Sequence, residues 1–322
     1  MKSPLLGLLL ALVMLPAAAQ TTPEDALSAV VGVRAKVGAK ARSAETLGTQ
    51  RSGSGALIRE GVVLTIGYLV MEADEILVTA ADGRSAPATL AAFDAQSGLG
   101  LLKVMTPIGG RPIALGQPER LAERERAVAV TAAARNEPTL VQVVSRRPFA
   151  GSWEYQLDSA IFTFPPVFEW SGAPLIGARG ELLGIGSLVV GDAAGAGTQS
   201  PGNMFVPVDL VRAIIDPLLS TGRRGGPARP WLGVNTDEVR GRLFVSRVSP
   251  EGPAARAGLK AGDLVLSVGG DEVSSLTDFY RKVWARGAAG VEVPLKVLQG
   301  SAVRDLKVRS IDRDDYFRRS TN

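Results

Sequence analysis

Residues 62–104 read VVLTIGYLVMEADEILVTAADGRSAPATLAAFDAQSGLGLLKV. Short runs rich in Val, Ile and Leu, at Val62–Ile66, Ile76–Thr79 and Leu99–Val104, alternate here with turn residues. The pair Asp82-Gly83 between two of these runs is typical of a β-hairpin. No long helical pattern separates the runs, and the stretch therefore predicts a β-barrel or a β-sandwich.

The same strand pattern continues to about residue 206. Its further runs are Ala127–Thr131, Leu140–Val144, Ile161–Phe164, Leu182–Val190 and Met204–Val206. From Val208 to Leu219 the apolar residues follow the 3.6-residue period and predict a helix that closes the first unit. We assign residues 20–219 to this unit.

A polar, glycine-rich segment, residues 220–229, predicts a flexible linker. A second unit, residues 230–311, and a tail, residues 312–322, follow it. The second unit has apolar runs near Leu243–Val248, Asp263–Val268, Val291–Leu298 and Asp305–Ser310. A helix is predicted over Leu276–Arg286, where Ser275 is placed to cap its first turn.

The N-terminus predicts export. Lys2 precedes an apolar run, Leu5–Leu15, and small residues end the run at Pro16–Ala19. This pattern is typical of a secretory signal peptide covering residues 1–19. A membrane anchor is the alternative, but the run is short for a bilayer. We expect a secreted, periplasmic protein without a membrane span in the mature chain.

The composition excludes several kinds of chemistry. The chain has 322 residues, 46% of them hydrophobic and 21% charged, which suffices for about two packed domains. It has neither cysteine nor histidine, so disulfides, thiolate sites and imidazole bases are excluded. Acidic and basic residues are interspersed, and we expect no nucleic-acid partner, no metal and no cofactor.

Three segments of the first unit resemble the HtrA/DegP family of trypsin-like serine proteases. They are Gly53–Val70, Asp94–Val104 and Glu169-Trp-Ser-Gly-Ala-Pro-Leu175, and Phe205–Val211 resembles the end of the family's protease domain. The resemblance implies a mostly β fold, a chymotrypsin-like double β-barrel.

The same resemblance identifies the catalytic positions. The family's nucleophile corresponds to Ser171, whereas its histidine and aspartate correspond to Tyr68 and Gly98. A phenol with a pKa near 10 is a poor base at neutral pH. Glu169 replaces a glycine beside the expected oxyanion hole, and Lys103 lies on a strand where it is expected to point elsewhere. We therefore expect a degenerate member with a vestigial nucleophile that is not an enzyme.

The second unit resembles the PDZ domain of the same family, a small β-sandwich with two helices. The resemblance rests on Arg229–Val234 and Ala254–Val265. It implies a carboxylate-binding loop, formed by Trp231, Leu232, Gly233 and Val234. Candidates for the wall of the peptide groove are Phe279, Tyr280 and Val283, although their spacing also fits a core. Alternatively, the PDZ domain docks only on its own protease domain.

Three hypotheses follow. The first is a secreted HtrA-like pseudoprotease that binds peptide C-termini or unfolded segments, in envelope quality control or regulation. The second is a serine endopeptidase of low activity that uses Ser171 with a base other than histidine. The third is a non-catalytic partner subunit of an active HtrA-type protease.

Overall fold

The computed structural model describes residues 23–132 and 137–317. The predicted signal peptide, residues 1–19, lies outside the described residues. The described part is mostly β: two closed six-stranded barrels are followed by a separate six-stranded sheet. The predicted fold class, a chymotrypsin-like double barrel followed by a PDZ domain, is confirmed.

The first barrel has the strand order β1-β2-β3-β6-β5-β4, and all its pairs are antiparallel. Its strands are β1 (Val30–Val37), β2 (Gln50–Arg59), β3 (Val62–Ile66), β4 (Ala73–Thr79), β5 (Ser85–Asp94) and β6 (Leu99–Val104). Alternate residues of β1 are buried, as expected where one face of a strand packs inside a barrel.

The second barrel has the order β10-β11-β12-β9-β8-β7. Its strands are β7 (Arg126–Thr131), β8 (Glu137–Gly151), β9 (Tyr155–Phe164), β10 (Pro174–Ile176), β11 (Leu182–Val190) and β12 (Gly202–Pro207). Strands β8 and β9 extend well beyond the predicted runs Leu140–Val144 and Ile161–Phe164. The two apolar runs cover only the part of this long hairpin that lies away from its turn. The half nearer the turn also carries polar residues, such as Arg146 and Asp158, and was therefore not predicted.

The third sheet has the order β13-β14-β15-β17-β18, and β16 pairs with β15. Its strands are β13 (Val234–Val239), β14 (Arg242–Val248), β15 (Leu264–Val268), β16 (Asp271–Glu272), β17 (Glu292–Gln299) and β18 (Ala302–Arg309). Its own apolar core includes Leu232, Phe279 and Val293, separate from the core of the barrels.

The helices are short. They are α1 (Pro23–Ser28), α2 (Ala44–Leu47), α3 (Gly67–Val70), α4 (Asp209–Arg212), α5 (Ile215–Thr221), α6 (Pro253–Arg256), α7 (Leu276–Trp284) and α8 (Arg313–Phe317). Ser275 caps α7, as predicted, because its hydroxyl accepts a hydrogen bond from the Asp278 N–H. No helix in residues 23–132 and 137–317 has the length and apolar character to cross a membrane.

The helix predicted over Val208–Leu219 is instead two helices, α4 and α5. Pro217 stands in the first turn of α5. Proline has no N–H, and its ring crowds the carbonyl four residues earlier, so α4 cannot continue unbroken into α5.

The predicted flexible linker is tied to the folded units by two arginines. Arg223 donates hydrogen bonds to Asp312 and Asp315, at 2.8 Å each. Arg224 donates to both carboxylate oxygens of Asp94, at 2.9 and 2.7 Å. The segment between the barrels and the third sheet is therefore hydrogen-bonded both to the first barrel and to the residues that follow the third sheet.

Candidate functional site

Ser171 and Tyr68 are in direct contact. Ser171 lies before β10, and Tyr68 lies on α3 directly after β3. The Tyr68 phenol oxygen is 2.8 Å from Ser171 Oγ and 2.8 Å from the Ser187 carbonyl oxygen. The phenol has one proton, and a carbonyl oxygen can only accept. Tyr68 therefore donates to Ser187, and the Ser171 hydroxyl donates its proton to the Tyr68 oxygen.

The environment of Tyr68 disfavours its ionised form. Burial raises the pKa of Tyr68 to about 12, although hydrogen bonds with Ser171 and Trp170 act in the opposite direction. The phenol is consequently neutral at pH 7. That Tyr68 is a poor base for Ser171 at neutral pH stays a prediction.

Gly172 permits the turn that presents Ser171. Its φ is +74°, a conformation that side chains with a Cβ rarely adopt, and a Cβ there would overlap the Ser54 carbonyl oxygen. The Ser54 N–H donates to the Ser171 carbonyl at 2.8 Å and fixes the other side of the turn. The sequence around Ser171 thus still builds a tight turn against β2.

Gly98 stands where the resemblance places the catalytic aspartate, and Tyr155 lies directly above it. Gly98 has φ +75°, and a Cβ there would be 3.1 Å from the Tyr155 ring. The Tyr155 hydroxyl donates to the Ser97 carbonyl at 2.6 Å. The Gly98 carbonyl accepts from the Gly67 N–H at 2.8 Å and so supports α3, which carries Tyr68.

The other charged candidates lie away from the hydroxyl pair. Lys103 donates to the Leu219 carbonyl at 3.3 Å, which confirms that it points elsewhere. Glu169 is exposed and is not among the non-glycine residues with positive φ. Within residues 23–132 and 137–317 no cluster of three His, Cys, Asp or Glu residues could hold a metal ion.

Ser171 and Tyr68 face a cleft of about 440 Å³ between the barrels and the third sheet. Its walls include several aromatic side chains, among them Phe93, Trp153, Tyr155, Trp170 and Tyr316. The rings of Trp153 and Tyr155 stack, with centroids 5.6 Å apart. Such a cleft has room for an apolar side chain beside the Ser171 hydroxyl.

The predicted carboxylate-binding loop holds a carboxylate of the same chain. The backbone N–H groups of Leu232, Gly233 and Val234 donate to the Glu154 side chain at 2.9, 2.7 and 2.9 Å. Gly233 has φ +80°, which turns these groups towards one point. Trp231 packs instead against Tyr316, with ring centroids 4.7 Å apart.

Phe279, Tyr280 and Val283 are all buried in the core of the third sheet. Tyr280 also reaches the β8–β9 turn: its hydroxyl donates to the Gly151 carbonyl at 2.6 Å and accepts from the Glu154 N–H at 3.0 Å. Tyr280 therefore lies in the core and also contacts the β8–β9 turn, and its role in a groove stays a prediction. Phe279 and Val283 lie in the core, and their role in a groove stays a prediction.

Sequence reasoning missed Glu154 and Tyr155. Both lie at the β8–β9 turn, far along the chain from Gly98 and from the loop that they contact. The available signal was the cluster Trp153-Glu154-Tyr155, two aromatic residues next to the polar residues Ser152 and Gln156. Aromatic residues at a polar turn often mark a contact with another part of the protein.

Comparisons with known families match both units. Residues 53–185 match the model of a trypsin-like peptidase domain, and residues 230–309 match that of a PDZ domain. A "probable periplasmic serine endoprotease DegP-like" from Halomonas elongata is 32% identical over 294 residues, which cover 82% of this chain and 57% of that protein. The "periplasmic pH-dependent serine endoprotease DegQ" of Escherichia coli is 29% identical over 273 residues, covering 80% and 58%. The chain thus spans less than two thirds of these relatives.

Solved structures agree on the fold. The HtrA-type protease AlgW with a decapeptide superposes with a TM-score of 0.54 at 22% identity, covering 90% of this chain and 97% of that one. A serine endoprotease from Yersinia pestis gives a TM-score of 0.54 at 22% identity, covering 92% and 98%.

One expectation needs correction. The substitutions at Tyr68 and Gly98 led us to expect that the chain is not an enzyme. That expectation is wrong on these comparisons, because the relatives are named serine endoproteases and so favour an enzyme. Trypsin-like and PDZ domains in this order, together with relatives named DegP-like and DegQ, show that the chain belongs to the HtrA family.

Proposed function

We propose that this chain is an envelope protein that binds polypeptide C-termini, or exposed segments that mimic them, through its PDZ domain. One observation carries the proposal. Three backbone N–H groups of the loop Leu232–Val234 converge on a carboxylate within 2.7–2.9 Å. Charge-assisted hydrogen bonds of this kind capture the terminal carboxylate of a peptide.

A location in the periplasm is part of the proposal. Two features support it: the relatives are named periplasmic, and residues 1–19 have the pattern of a signal peptide. The partners would then be envelope proteins with accessible C-terminal segments.

A matched pair of peptide pools tests the binding function. We expect fluorescein-labelled decapeptides with random sequence and a free C-terminus to bind at least about tenfold more tightly than the same pool with C-terminal amides. The amidated peptides lack the negative terminal charge that the three backbone N–H groups are expected to bind. Fluorescence anisotropy measures both dissociation constants, and equal affinities for the two pools would contradict the proposal.

Slow serine-type endopeptidase activity is the second candidate function. The hydrogen bond from Ser171 to Tyr68 and the intact turn at Gly172 support it, as do the names of the relatives. In this reaction Ser171 Oγ attacks the scissile carbonyl, and the Tyr68 oxygen takes the serine proton when the phenol is ionised. The C–N bond then breaks as the leaving amine takes this proton from Tyr68, and water hydrolyses the acyl-serine. The pH dependence of this step tests the candidate and is argued in the Discussion.

A further inference from the structure

The peptide groove expected of the PDZ domain lies between strand β13 and helix α7, and another part of the same chain lies there. The turn between β8 and β9, residues Gly151–Glu154 (hereafter the hairpin tip), lies between strand β13 and helix α7. The Thr236 N–H of β13 donates to the Ser152 carbonyl at 2.9 Å. On the side of α7, Tyr280 contacts the Gly151 carbonyl and the Glu154 N–H.

These contacts have the pattern of a bound peptide end. A PDZ ligand pairs its main chain with the groove strand and places its carboxylate in the loop at the start of that strand. Here Ser152 pairs with β13, and two residues later Glu154 supplies a side-chain carboxylate to Leu232, Gly233 and Val234.

We propose that the hairpin tip is an internal ligand of the PDZ groove, with Glu154 standing in for a C-terminal carboxylate. External C-termini then have to displace the tip before they bind. This inference rests on the proposed peptide-binding function and adds its regulation.

The internal contact is specific in its geometry. Glu154 has φ +57°, an uncommon conformation for a residue with a side chain, and only 7% of its surface is exposed. The rings of Trp153 and Tyr155 stack and brace the turn from the side of the cleft.

The buried position of Glu154 weakens the internal contact. Burial raises the pKa of Glu154 to about 7, although the three backbone N–H groups and the charge of Arg313 favour the ionised form. The ionised carboxylate is therefore less stable in the loop than it would be in water. A partner that brings a fitting side chain as well as a carboxylate can compete with the tip.

The expected gain in affinity follows from the fraction of molecules whose groove is open. When only a fraction of the molecules has an open groove, the apparent dissociation constant of an external peptide increases by the inverse of that fraction. Removing the Glu154 carboxylate should raise the open fraction. We expect Glu154→Ala to bind the free-carboxylate decapeptide pool at least about tenfold more tightly than the wild-type chain.

The experiment uses the full mature chain and the two peptide pools described above. Glu154→Gln keeps the size of the side chain and removes its charge, and it should give a smaller gain in the same direction. Asp158→Ala is the matched control, because Asp158 is an exposed carboxylate on the same strand β9. This control should bind like the wild type.

The outcomes separate the inference from the function on which it rests. If the wild type, Glu154→Ala and Asp158→Ala all bind the free-carboxylate pool equally tightly, peptide binding stands and the internal ligand is wrong. If no variant distinguishes free from amidated peptides, the peptide-binding function itself fails.

A second measurement on the wild type covers the case in which a variant does not fold. In hydrogen exchange without peptide, the amides of Leu232, Gly233, Val234 and Thr236 should be protected to a similar extent. Fast exchange of all four amides in the otherwise folded chain would show an open groove and overturn the inference.

Discussion

Modification of Ser171 by a fluorophosphonate probe should accelerate about tenfold for each pH unit between pH 7 and pH 10, about a thousandfold in total. The reason is the pKa of Tyr68, which burial raises to about 12. At pH 7 only roughly 10⁻⁵ of the molecules carry the tyrosinate that can accept the Ser171 proton. The ionised fraction rises with pH, and the pH range ends below the pKa, so no plateau is expected.

Two variants isolate the contribution of Tyr68. Ser171→Ala should not be modified at this position, and its rate serves as the background. Tyr68→Phe removes the acceptor oxygen but keeps the ring, and it should be modified at least about a hundredfold more slowly at pH 10. Circular dichroism at each pH checks that the chain remains folded.

Either of two results would contradict this mechanism. A plateau reached near pH 7 or 8 would show a base with a nearly neutral pKa, which Tyr68 in this environment is not. Equal rates for Tyr68→Phe and the wild type would show that the hydrogen bond at 2.8 Å has no part in activating Ser171.

The barrels could be predicted from the sequence because the patterns that indicate their strands and turns are short and local in the chain. Each apolar run, the Asp82-Gly83 turn and each of the three family segments is a short stretch of consecutive residues. Tyr68 and Ser171 meet, as the resemblance implied, because β3, α3 and the turn at Gly172 keep the family's geometry. The loop Leu232–Val234 likewise forms a carboxylate site from its own backbone.

The hairpin tip could not be predicted, because its contacts depend on how two units pack. Glu154 and the loop that it contacts are separated by 78–80 positions in the sequence. The resemblance describes each domain by itself, and neither domain contains both partners. Polar residues in the outer half of β8 and β9 further concealed the length of the hairpin.

Removing the carboxylate of Asp94 should destabilise the chain by about 3 kcal/mol at pH 7, since it breaks an ion pair whose carboxylate is buried and whose arginine is partly buried. Asp94 ends β5 and is only 3% exposed. Its oxygens accept two hydrogen bonds from Arg224, at 2.9 and 2.7 Å. They also accept from the N–H and the hydroxyl of Ser97, at 3.0 and 2.5 Å. Urea denaturation of Asp94→Ala at pH 7 measures the loss.

The stability difference between the wild type and Asp94→Ala should become smaller in acid. Burial acts to raise the pKa of Asp94, but hydrogen bonds from Arg224 and Ser97, together with the charge of Arg224, hold it below the usual value of 3.8. A group with a depressed pKa in the folded state stabilises fully above its unfolded pKa and loses this contribution as pH falls through the folded pKa. The difference between wild type and Asp94→Ala should therefore be constant from pH 7 to about pH 5 and shrink below pH 4.

Asp82→Ala is the control, because Asp82 pairs with Arg84 at an exposed turn, where ion pairs contribute little. The stability of this variant should hardly change. A similarly small change for Asp94→Ala would show that solvent compensates for the lost ion pair.

The Asp94 variant should also alter the Ser171 site, because Asp94 orders Ser97, whose carbonyl holds Tyr155 above Gly98. Unchanged fluorophosphonate kinetics in a destabilised Asp94→Ala chain would separate the two roles and confine Asp94 to stability.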